Sequence, residues 1–182
     1  GCGDGYELIH ARDKLGWDAH GLTFLKEEAG GFDPKLMTVA DIHAMPYHKY
    51  SFDCVYSKET LEHSPCPFLA LLESSRVLQY GGEFFHLIPS GWEKQRDWYH
   101  FSCFPDWLWC DLFLKAGLKF EEVRSWPKLD RYSMGNVSYR GHKVAEVSLR
   151  DGMDQWRHRL GFEHVGLEDG SGQHFVAQFR LW

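Results

Sequence analysis

The sequence lacks the features that would place the chain in a membrane, in an oxidising compartment or on nucleic acid. It has no hydrophobic run long enough to cross a bilayer. Its five cysteines include no C-x-x-C pair and no zinc-ligand spacing. Lysine and arginine number 20 against 26 aspartate and glutamate residues, so the basic excess typical of nucleic-acid binding is missing. We therefore expect a reduced cytoplasmic protein with no membrane partner, and we disfavour nucleic acid as a partner.

The residues that are present suit one globular core. The chain has 182 residues, of which 43% are hydrophobic and 16% aromatic, a size that normally forms one domain. Helical and extended patterns alternate along it, which predicts an α/β fold with a largely parallel sheet. The expected helices are 6–15, 67–78 and 105–116, and the expected strands are 19–24, 36–39, 52–56, 84–88, 118–123 and 174–181.

A glycine turn opens the chain. Gly1, Gly3 and Gly5 alternate with other residues directly before the first expected helix. Glycines let a backbone approach a ligand closely because they carry no Cβ, and the N-terminus of the following helix offers free N–H groups. This turn predicts a site for a nucleoside or amino-acid ligand lying across the strand ends.

Further motifs follow this turn along the chain. They are Gly-Leu-Thr-Phe at 21–24, Asp-Ile at 41–42, Ser-Phe-Asp-Cys-Val-Tyr-Ser at 51–57, Leu-Glu-His at 61–63 and Arg-Val-Leu-Gln-Tyr-Gly-Gly at 76–82. This order resembles the class I S-adenosylmethionine-dependent methyltransferases, and most of all the type 11 branch that includes the ubiquinone-biosynthesis O-methyltransferase. The resemblance covers residues 1–89, with a looser match over 101–117. It implies a Rossmann-like sheet, mostly parallel with an antiparallel last strand, whose first strand is missing from this sequence.

The resemblance implies S-adenosylmethionine as the cofactor and assigns its methionine end. Gly1, Gly3 and Gly5 would pass beneath the methionine part, and Asp4 would orient the turn. Ser57, with Lys58 beside it, would border the same end of the cofactor.

The resemblance also assigns the nucleoside. Asp41 would accept from the adenine amino group, and the backbone N–H of Ile42 would meet a ring nitrogen. Such enzymes usually carry an acidic residue at the end of the second strand for the ribose, whereas this chain has Thr23. Cyclopropane-fatty-acid-type methyltransferases share that threonine and use a glutamine five residues later. Glu28 stands there here, so we expect Thr23 and Glu28 to share the ribose, with a solvated surface charge as the alternative for Glu28.

The segment around Leu-Glu-His carries two interpretations. Glu59, Glu62 and His63 resemble the E-x-x-E-H of the ubiquinone O-methyltransferases, where these side chains are associated with a divalent metal. Leu-Glu-His also occurs in methyltransferases that need no metal. The alternative is therefore that Glu62 and His63 shape the loop near the cofactor.

Methyl transfer to a hydroxyl benefits from a base that removes the proton, and histidine suits that role near neutral pH. His63 and His100 are the candidate catalytic residues. Trp92, Trp98 and Tyr99 could form an aromatic wall for the methyl acceptor or could simply pack a lid.

The function expected from these residues is O-methylation of a small molecule or sugar. A methyltransferase fold kept as a non-catalytic binding or assembly subunit is the alternative. A nucleic-acid methyltransferase is disfavoured by charge, and because residues 57–60 lack the Asp/Asn-Pro-Pro-aromatic motif of the amino-methylating DNA enzymes. Cys66, between two prolines, reads as a helix start and not as a nucleophile.

The expected domain organisation is a cofactor-binding core over 1–126, an insertion or lid over 127–170 and a final core strand within 171–182. Without its first strand the sheet has a central gap, because strands on either side expose unpaired N–H and C=O groups. We expect the strands to close up, a neighbouring chain to donate a strand in a homodimer, or residues 174–181 to move inward.

Overall fold

Helices and strands alternate along the chain, as the sequence pattern predicts. The structure, a computed structural model, describes residues 2–25, 33, 35–89, 99–126 and 136–147. The elements in chain order are α1 (Tyr6–Leu15), β1 (Gly21–Thr23), β2 (Met37–Val39), β3 (Phe52–Lys58), a 3₁₀ turn (Leu61–His63), α2 (Pro67–Val77), β4 (Leu78–Pro89), α3 (Asp106–Lys115), β5 (Leu118–Trp126) and β6 (Asn136–Lys143).

The helix boundaries follow from glycine and proline. Gly5 before α1 and Gly16 after it have φ angles of 74° and 69°, in the left-handed region that glycine enters at little steric cost. Pro67 opens α2, where its missing N–H and fixed φ cost nothing. These local signals explain why the ends of the first two helices could be predicted closely.

The strands form two groups. β1 pairs with β2 in parallel, and the second group has the order β3-β4-β6-β5. β3 and β4 are parallel, whereas β6 runs antiparallel to both β4 and β5. This mixture of parallel pairs with an antiparallel strand is the α/β architecture that the sequence predicts.

The main core lies between the second strand group and the helices α2 and α3. Phe84 from β4, Phe113 from α3 and Tyr139 from β6 are fully buried. Their rings form a stack, with centroids 5.3 Å apart for Phe84–Phe113 and 5.2 Å apart for Phe113–Tyr139. Each buried aromatic side chain of this kind contributes about 1.5–3 kcal/mol by removal of apolar surface from water. This core fixes the carboxyl ends of β3 and β4, where the predicted site begins.

The gap expected at the first strand is visible in the pairing. β1 and β3 lie in separate groups, and no strand lies between them within the described ranges. Closing up of the neighbouring strands was therefore a wrong expectation, and residues 174–181 lie outside the described residues. The backbone N–H of Cys2 donates to the Leu22 carbonyl at 2.9 Å, so the chain enters the glycine turn along the free edge of β1.

Gly21 explains how the chain can lie so close to β1. A Cβ at Gly21 would stand 2.6 Å from the Cys2 sulfur and 3.0 Å from Leu8 Cδ2. Since Cβ atoms do not make such contacts in folded proteins, a larger residue would displace Cys2 and the start of the glycine turn.

The expectation for residues 127–170 was wrong in part. An insertion or lid was expected there, but Asn136–Lys143 is a strand of the core, lying between β4 and β5. A Cβ at Gly141 would stand 2.0 Å from the Lys119 carbonyl oxygen, so the glycine permits a close approach of β5. The final strand expected within 171–182 lies outside the described residues.

Candidate active site

The glycine turn leaves open space above its backbone. Gly3 has a φ of 49°, and a Cβ built there would meet nothing within 4 Å. The Asp4 carboxylate accepts a hydrogen bond from the Tyr6 N–H at 3.2 Å at the start of α1. The role of Asp4 in orienting the turn stays a prediction. Gly1 lies outside the described residues. The turn thus combines unobstructed backbone with the N-terminus of a helix.

The end of β3 is tied to α1 and to the core. Lys58 Nζ lies 2.8 Å from Glu7 Oε1, a pair that raises the pKa of Lys58 and lowers the pKa of Glu7. Ser57 Oγ lies 2.6 Å from His86 Nδ1. Burial lowers the pKa of His86 to about 3, so this imidazole is neutral and holds the Ser57 hydroxyl by a neutral hydrogen bond. His86 is a contact of the site that the sequence patterns did not reveal.

The end of β1 carries Thr23, which is fully buried. Its carbonyl accepts a hydrogen bond from the Ala40 N–H at 2.9 Å, which joins the ends of β1 and β2. Glu28, its expected partner at the ribose, lies outside the described residues. The ribose role of these two residues stays a prediction.

Asp41 follows β2 and keeps an accessible carboxylate, with 52% of the side-chain surface exposed. Its Oδ1 atom accepts the backbone N–H of His43 at 2.9 Å and lies 2.6 Å from the His43 Nδ1 atom. The backbone hydrogen bond, helped by the side chain of His43, lowers the pKa of Asp41. Asp41 is therefore an ionised acceptor near neutral pH. Ile42 is partly buried against the main core, which anchors this loop.

Three side chains meet beside the end of β3: Glu62, His63 and His100. One ligand-type atom from each lies within 4.8 Å of the other two. The His63 and His100 rings have centroids 4.7 Å apart, and His63 Nε2 stands 3.8 Å from Glu62 Oε1. The sequence named all three residues, and the fold brings them together.

Glu62 is the unusual member of this group. It is fully buried, and neither carboxylate oxygen has a hydrogen-bond partner among the described residues. Burial raises the pKa of Glu62 to about 7, while the backbone N–H of Glu62 and, after it, the neighbouring His63 oppose that rise. A buried carboxyl group whose oxygens lack hydrogen-bond partners is costly in water-excluding surroundings. Ionisable groups with shifted pKa values are common at functional sites.

The tautomer of His63 follows from its contacts. His63 Nδ1 lies 2.9 Å from the Tyr99 carbonyl oxygen, which can only accept a hydrogen bond. Nδ1 therefore carries the proton in the neutral ring, and Nε2 presents a lone pair on the Glu62 side. Two further hydrogen bonds join the segment after Tyr99 to the segment after β3. The Ser102 N–H donates to the Glu62 carbonyl at 2.9 Å, and Ser102 Oγ donates to the Ser64 carbonyl at 2.7 Å.

Glu59 is not part of this group, although the E-x-x-E-H resemblance placed it with Glu62 and His63. It has a φ of 47°, rare for a residue with a side chain, and its N–H donates to the Leu87 carbonyl at 2.9 Å. His100 takes the third position. One carboxylate and two imidazoles form a donor set that suits a borderline divalent cation such as Zn²⁺, and His63 already gives its other ring N–H to a carbonyl.

The aromatic residues expected around the methyl acceptor are only partly described. Tyr99 is 72% exposed, whereas Trp92 and Trp98 lie outside the described residues. Cys66 is exposed and directly precedes α2, with its N–H donating to Ser64 Oγ at 3.2 Å. This contact agrees with the interpretation of Cys66 as part of a helix start.

Residues 1–86 match the family model described as a methyltransferase domain. The match covers 86 of the 182 residues of the chain. Solved structures similar to the chain include a candidate methyltransferase in complex with the Haloferax volcanii Trm112 activator, with 20% identity, 81% of each chain covered and a TM-score of 0.69. They also include an S-adenosylmethionine-dependent methyltransferase from Methanosarcina mazei, with 18% identity, 80% of this chain and 91% of that chain covered, and a TM-score of 0.64. No curated protein sequence matches the chain.

The predicted fold is therefore confirmed: the chain has the Rossmann-like α/β fold of these similar methyltransferase structures. The match of residues 1–86 to a methyltransferase domain agrees with the predicted resemblance to the class I S-adenosylmethionine-dependent methyltransferases. One neighbour, a geranyl diphosphate methyltransferase, is in complex with S-adenosylmethionine, the cofactor of this class. Another neighbour is the [4+2]-cyclase SpnF, with 17% identity, 80% of this chain and 73% of that chain covered, and a TM-score of 0.65. No helix in the described ranges has the length and apolar character needed to cross a membrane.

Proposed function

We propose that the methyltransferase domain transfers a methyl group from S-adenosylmethionine to a hydroxyl group of a small molecule or sugar. The observation that carries this proposal is the group of Glu62, His63 and His100 beside the carboxyl end of β3. In open α/β sheets, ligands lie outside the carboxyl ends of the strands, so this group stands where an acceptor would meet the cofactor.

The cofactor would be held by the ends of three elements. The open backbone of Gly3 suits the methionine part, with Gly5 following at the start of α1 and Ser57 at the border. The ionised carboxylate of Asp41 suits the adenine amino group, and the Ile42 N–H suits a ring nitrogen. Gly1, Thr23 and Glu28 complete the assignment by resemblance.

The reaction needs one proton transfer and one methyl transfer. His63 Nε2 takes the proton of the acceptor hydroxyl, and the hydroxyl oxygen attacks the methyl carbon. Bound S-adenosylmethionine would supply that methyl group and would keep the electron pair of its carbon–sulfur bond on sulfur. The imidazolium formed on His63 faces the Glu62 carboxylate, whose negative charge stabilises it.

Calorimetry with S-adenosylhomocysteine, followed by transfer of labelled methyl from S-adenosylmethionine to a panel of phenols, catechols and sugars, tests the proposal. We expect binding and labelling of at least one hydroxyl acceptor. Binding without labelling of any member would favour the non-catalytic alternative, or a different reaction on the same fold, of which the SpnF neighbour is an example. No binding at millimolar ligand would contradict both cofactor use and the enzyme proposal.

A second candidate role for the same group is a divalent metal site. The ligand-type atoms of Glu62, His63 and His100 within 4.8 Å of one another favour it, as does the backbone acceptor on His63 Nδ1. Such an ion would acidify an acceptor hydroxyl bound to it.

The metal role predicts stabilisation by the ion alone. At a concentration 100 times the dissociation constant, Zn²⁺ should stabilise the folded protein by about 2.7 kcal/mol. Thermal unfolding at increasing Zn²⁺ concentrations measures this stabilisation. We expect the His100→Ala variant to show no stabilisation by Zn²⁺. Equal responses of wild type and variant would reject this metal site and leave His63 as the base.

Replacing Asp41 with alanine should weaken S-adenosylhomocysteine binding by about 1–3 kcal/mol, because the adenine amino group loses a charged acceptor. Calorimetry measures the effect. Asp53→Ala changes an exposed carboxylate on β3 and serves as the control. Equal affinities of the Asp41 variant and wild type would remove Asp41 from the cofactor site.

A further inference from the structure

A chain of three polar side chains joins the loop after β2 to the segment after β3. Asp41 Oδ1 lies 2.6 Å from His43 Nδ1, and His43 Nε2 lies 2.6 Å from Ser64 Oγ. Neither His43 nor Ser64 belongs to the set of residues that the sequence patterns selected. The signal available in the sequence was only that a histidine stands two residues after Asp41.

The direction of these hydrogen bonds is determined by the groups at each end. The ionised Asp41 carboxylate can only accept, so the proton of the neutral His43 ring lies on Nδ1 and Nε2 offers a lone pair. Ser64 Oγ–H then donates to Nε2, while Oγ accepts the Cys66 N–H at 3.2 Å. The contacts of Asp41 and Ser64 with His43 therefore all fit one orientation of the His43 ring, and together they fix the position of that ring.

The three side chains have the order of an Asp-His-Ser triad. However, the serine is buried and the aspartate is exposed, which is the reverse of what a serine nucleophile needs. Ser64 is only 3% exposed, whereas the Asp41 side chain is 52% exposed. A serine nucleophile must be reached by its substrate, and the aspartate of such a triad is the buried member. Of these three side chains, Asp41 is therefore the one that a ligand can reach, and the buried Ser64 anchors the other end.

The anchoring acts on one oxygen of Asp41. Both the backbone N–H and the ring of His43 bond to Oδ1, and within the described part of the chain Oδ2 accepts no hydrogen bond. A carboxylate held at one oxygen cannot rotate freely, so Oδ2 keeps a fixed direction. A fixed acceptor discriminates between a donor and an acceptor on its ligand better than a mobile one.

We propose that His43 is a positioning residue that orients Asp41 to read the exocyclic amino group of adenine, an inference that rests on the proposed use of S-adenosylmethionine. Ser64 holds the far side of the His43 ring. Ser64 belongs to the segment that carries Glu62 and His63, and Ser102 bonds to the same segment. The residue that selects adenine is thus anchored on the segment that carries the candidate base.

Two substitutions separate the two ends of the His43 ring. Asparagine places an amide N–H near the position of Nδ1 and keeps the bond to Asp41, whereas the glutamine amide reaches toward the position of Nε2 and gives up that bond. The ligands are S-adenosylhomocysteine and S-inosylhomocysteine, which differ by an amino donor against a carbonyl acceptor at the position that Asp41 would read. Calorimetry on the whole chain gives the ratio of the two affinities for each protein.

We expect wild type to prefer the adenosyl ligand, His43→Asn to keep that preference within about twofold, and His43→Gln to lower it by about tenfold, the scale of one hydrogen bond to a charged group. Loss of both affinities by an equal factor in the two variants would mean that His43 only holds the loop, and would overturn the proposal. Unchanged preference in His43→Gln would overturn it as well, while leaving the proposed function intact. Failure of wild type to bind either ligand would overturn both.

Discussion

Replacing His63 with asparagine should lower the rate constant of methyl transfer by about 100- to 10,000-fold, the range for losing a general base. The asparagine amide can still donate to the Tyr99 carbonyl that His63 Nδ1 contacts at 2.9 Å, so the loop keeps its anchor while the basic Nε2 is lost. Affinity for S-adenosylhomocysteine should change by no more than about twofold, because His63 acts on the acceptor and not on the cofactor. Single-turnover transfer of labelled methyl to the acceptor found with wild type measures the rate.

His48→Asn is the matched control, since His48 is an exposed histidine outside the group. We expect its rate to equal that of wild type. A His63→Asn rate within about threefold of wild type, with the protein folded, would show that another group takes the proton or that none is needed. A lost rate that is restored by raising the pH would instead support the base role, because the acceptor hydroxyl then ionises without help.

Replacing Glu62 with glutamine should make the protein more stable than wild type above neutral pH. In the folded chain burial raises the pKa of Glu62 to about 7 from an ordinary value of 4.5. The protonated form therefore favours folding: its contribution is fully present below pH 4.5 and is lost as the pH rises through 7. The difference corresponds to roughly 3 kcal/mol in the free energy of unfolding.

The measurement is denaturant unfolding of wild type and Glu62→Gln between pH 4.5 and 8 with a chelator present, so that no ion occupies the group. We expect similar stabilities at the acidic end and a growing advantage of the variant toward pH 8, reaching roughly 3 kcal/mol. Glu83→Gln makes the same change at an exposed position on β4 and should keep the wild-type profile. Parallel profiles for wild type and Glu62→Gln would mean that the Glu62 carboxyl is solvated in solution.

Some of the fold could be predicted because its signals are local. Gly5 and Gly16 bound α1 with left-handed φ angles, and Pro67 starts α2, so these ends follow from the conformations open to single residues. The aromatic helix after Pro105 likewise predicted α3 within one residue at each end. The hydrophobic run ending at Ile88 predicted the end of β4, but β4 begins at Leu78, six residues before the predicted start.

Other parts depend on contacts between distant residues. The strand Asn136–Lys143 was mistaken for an insertion because its sequence, which includes Gly141, shows no clear strand alternation. Its place is determined by β4 and β5 on either side and by the approach of Lys119 to the glycine. A segment buried by its neighbours needs no distinctive pattern of its own.

The sequence by itself determined the class of this protein and the residues that end its strands, because glycine turns, strand ends and helix starts are properties of short segments. Only the tertiary structure decided that His100 and not Glu59 joins Glu62 and His63, and that His43 connects Asp41 to Ser64. Side chains far apart in sequence meet only when the sheet and helices have packed. Their distances and burial, which set proton positions and pKa values, are therefore properties of the fold and not of any motif.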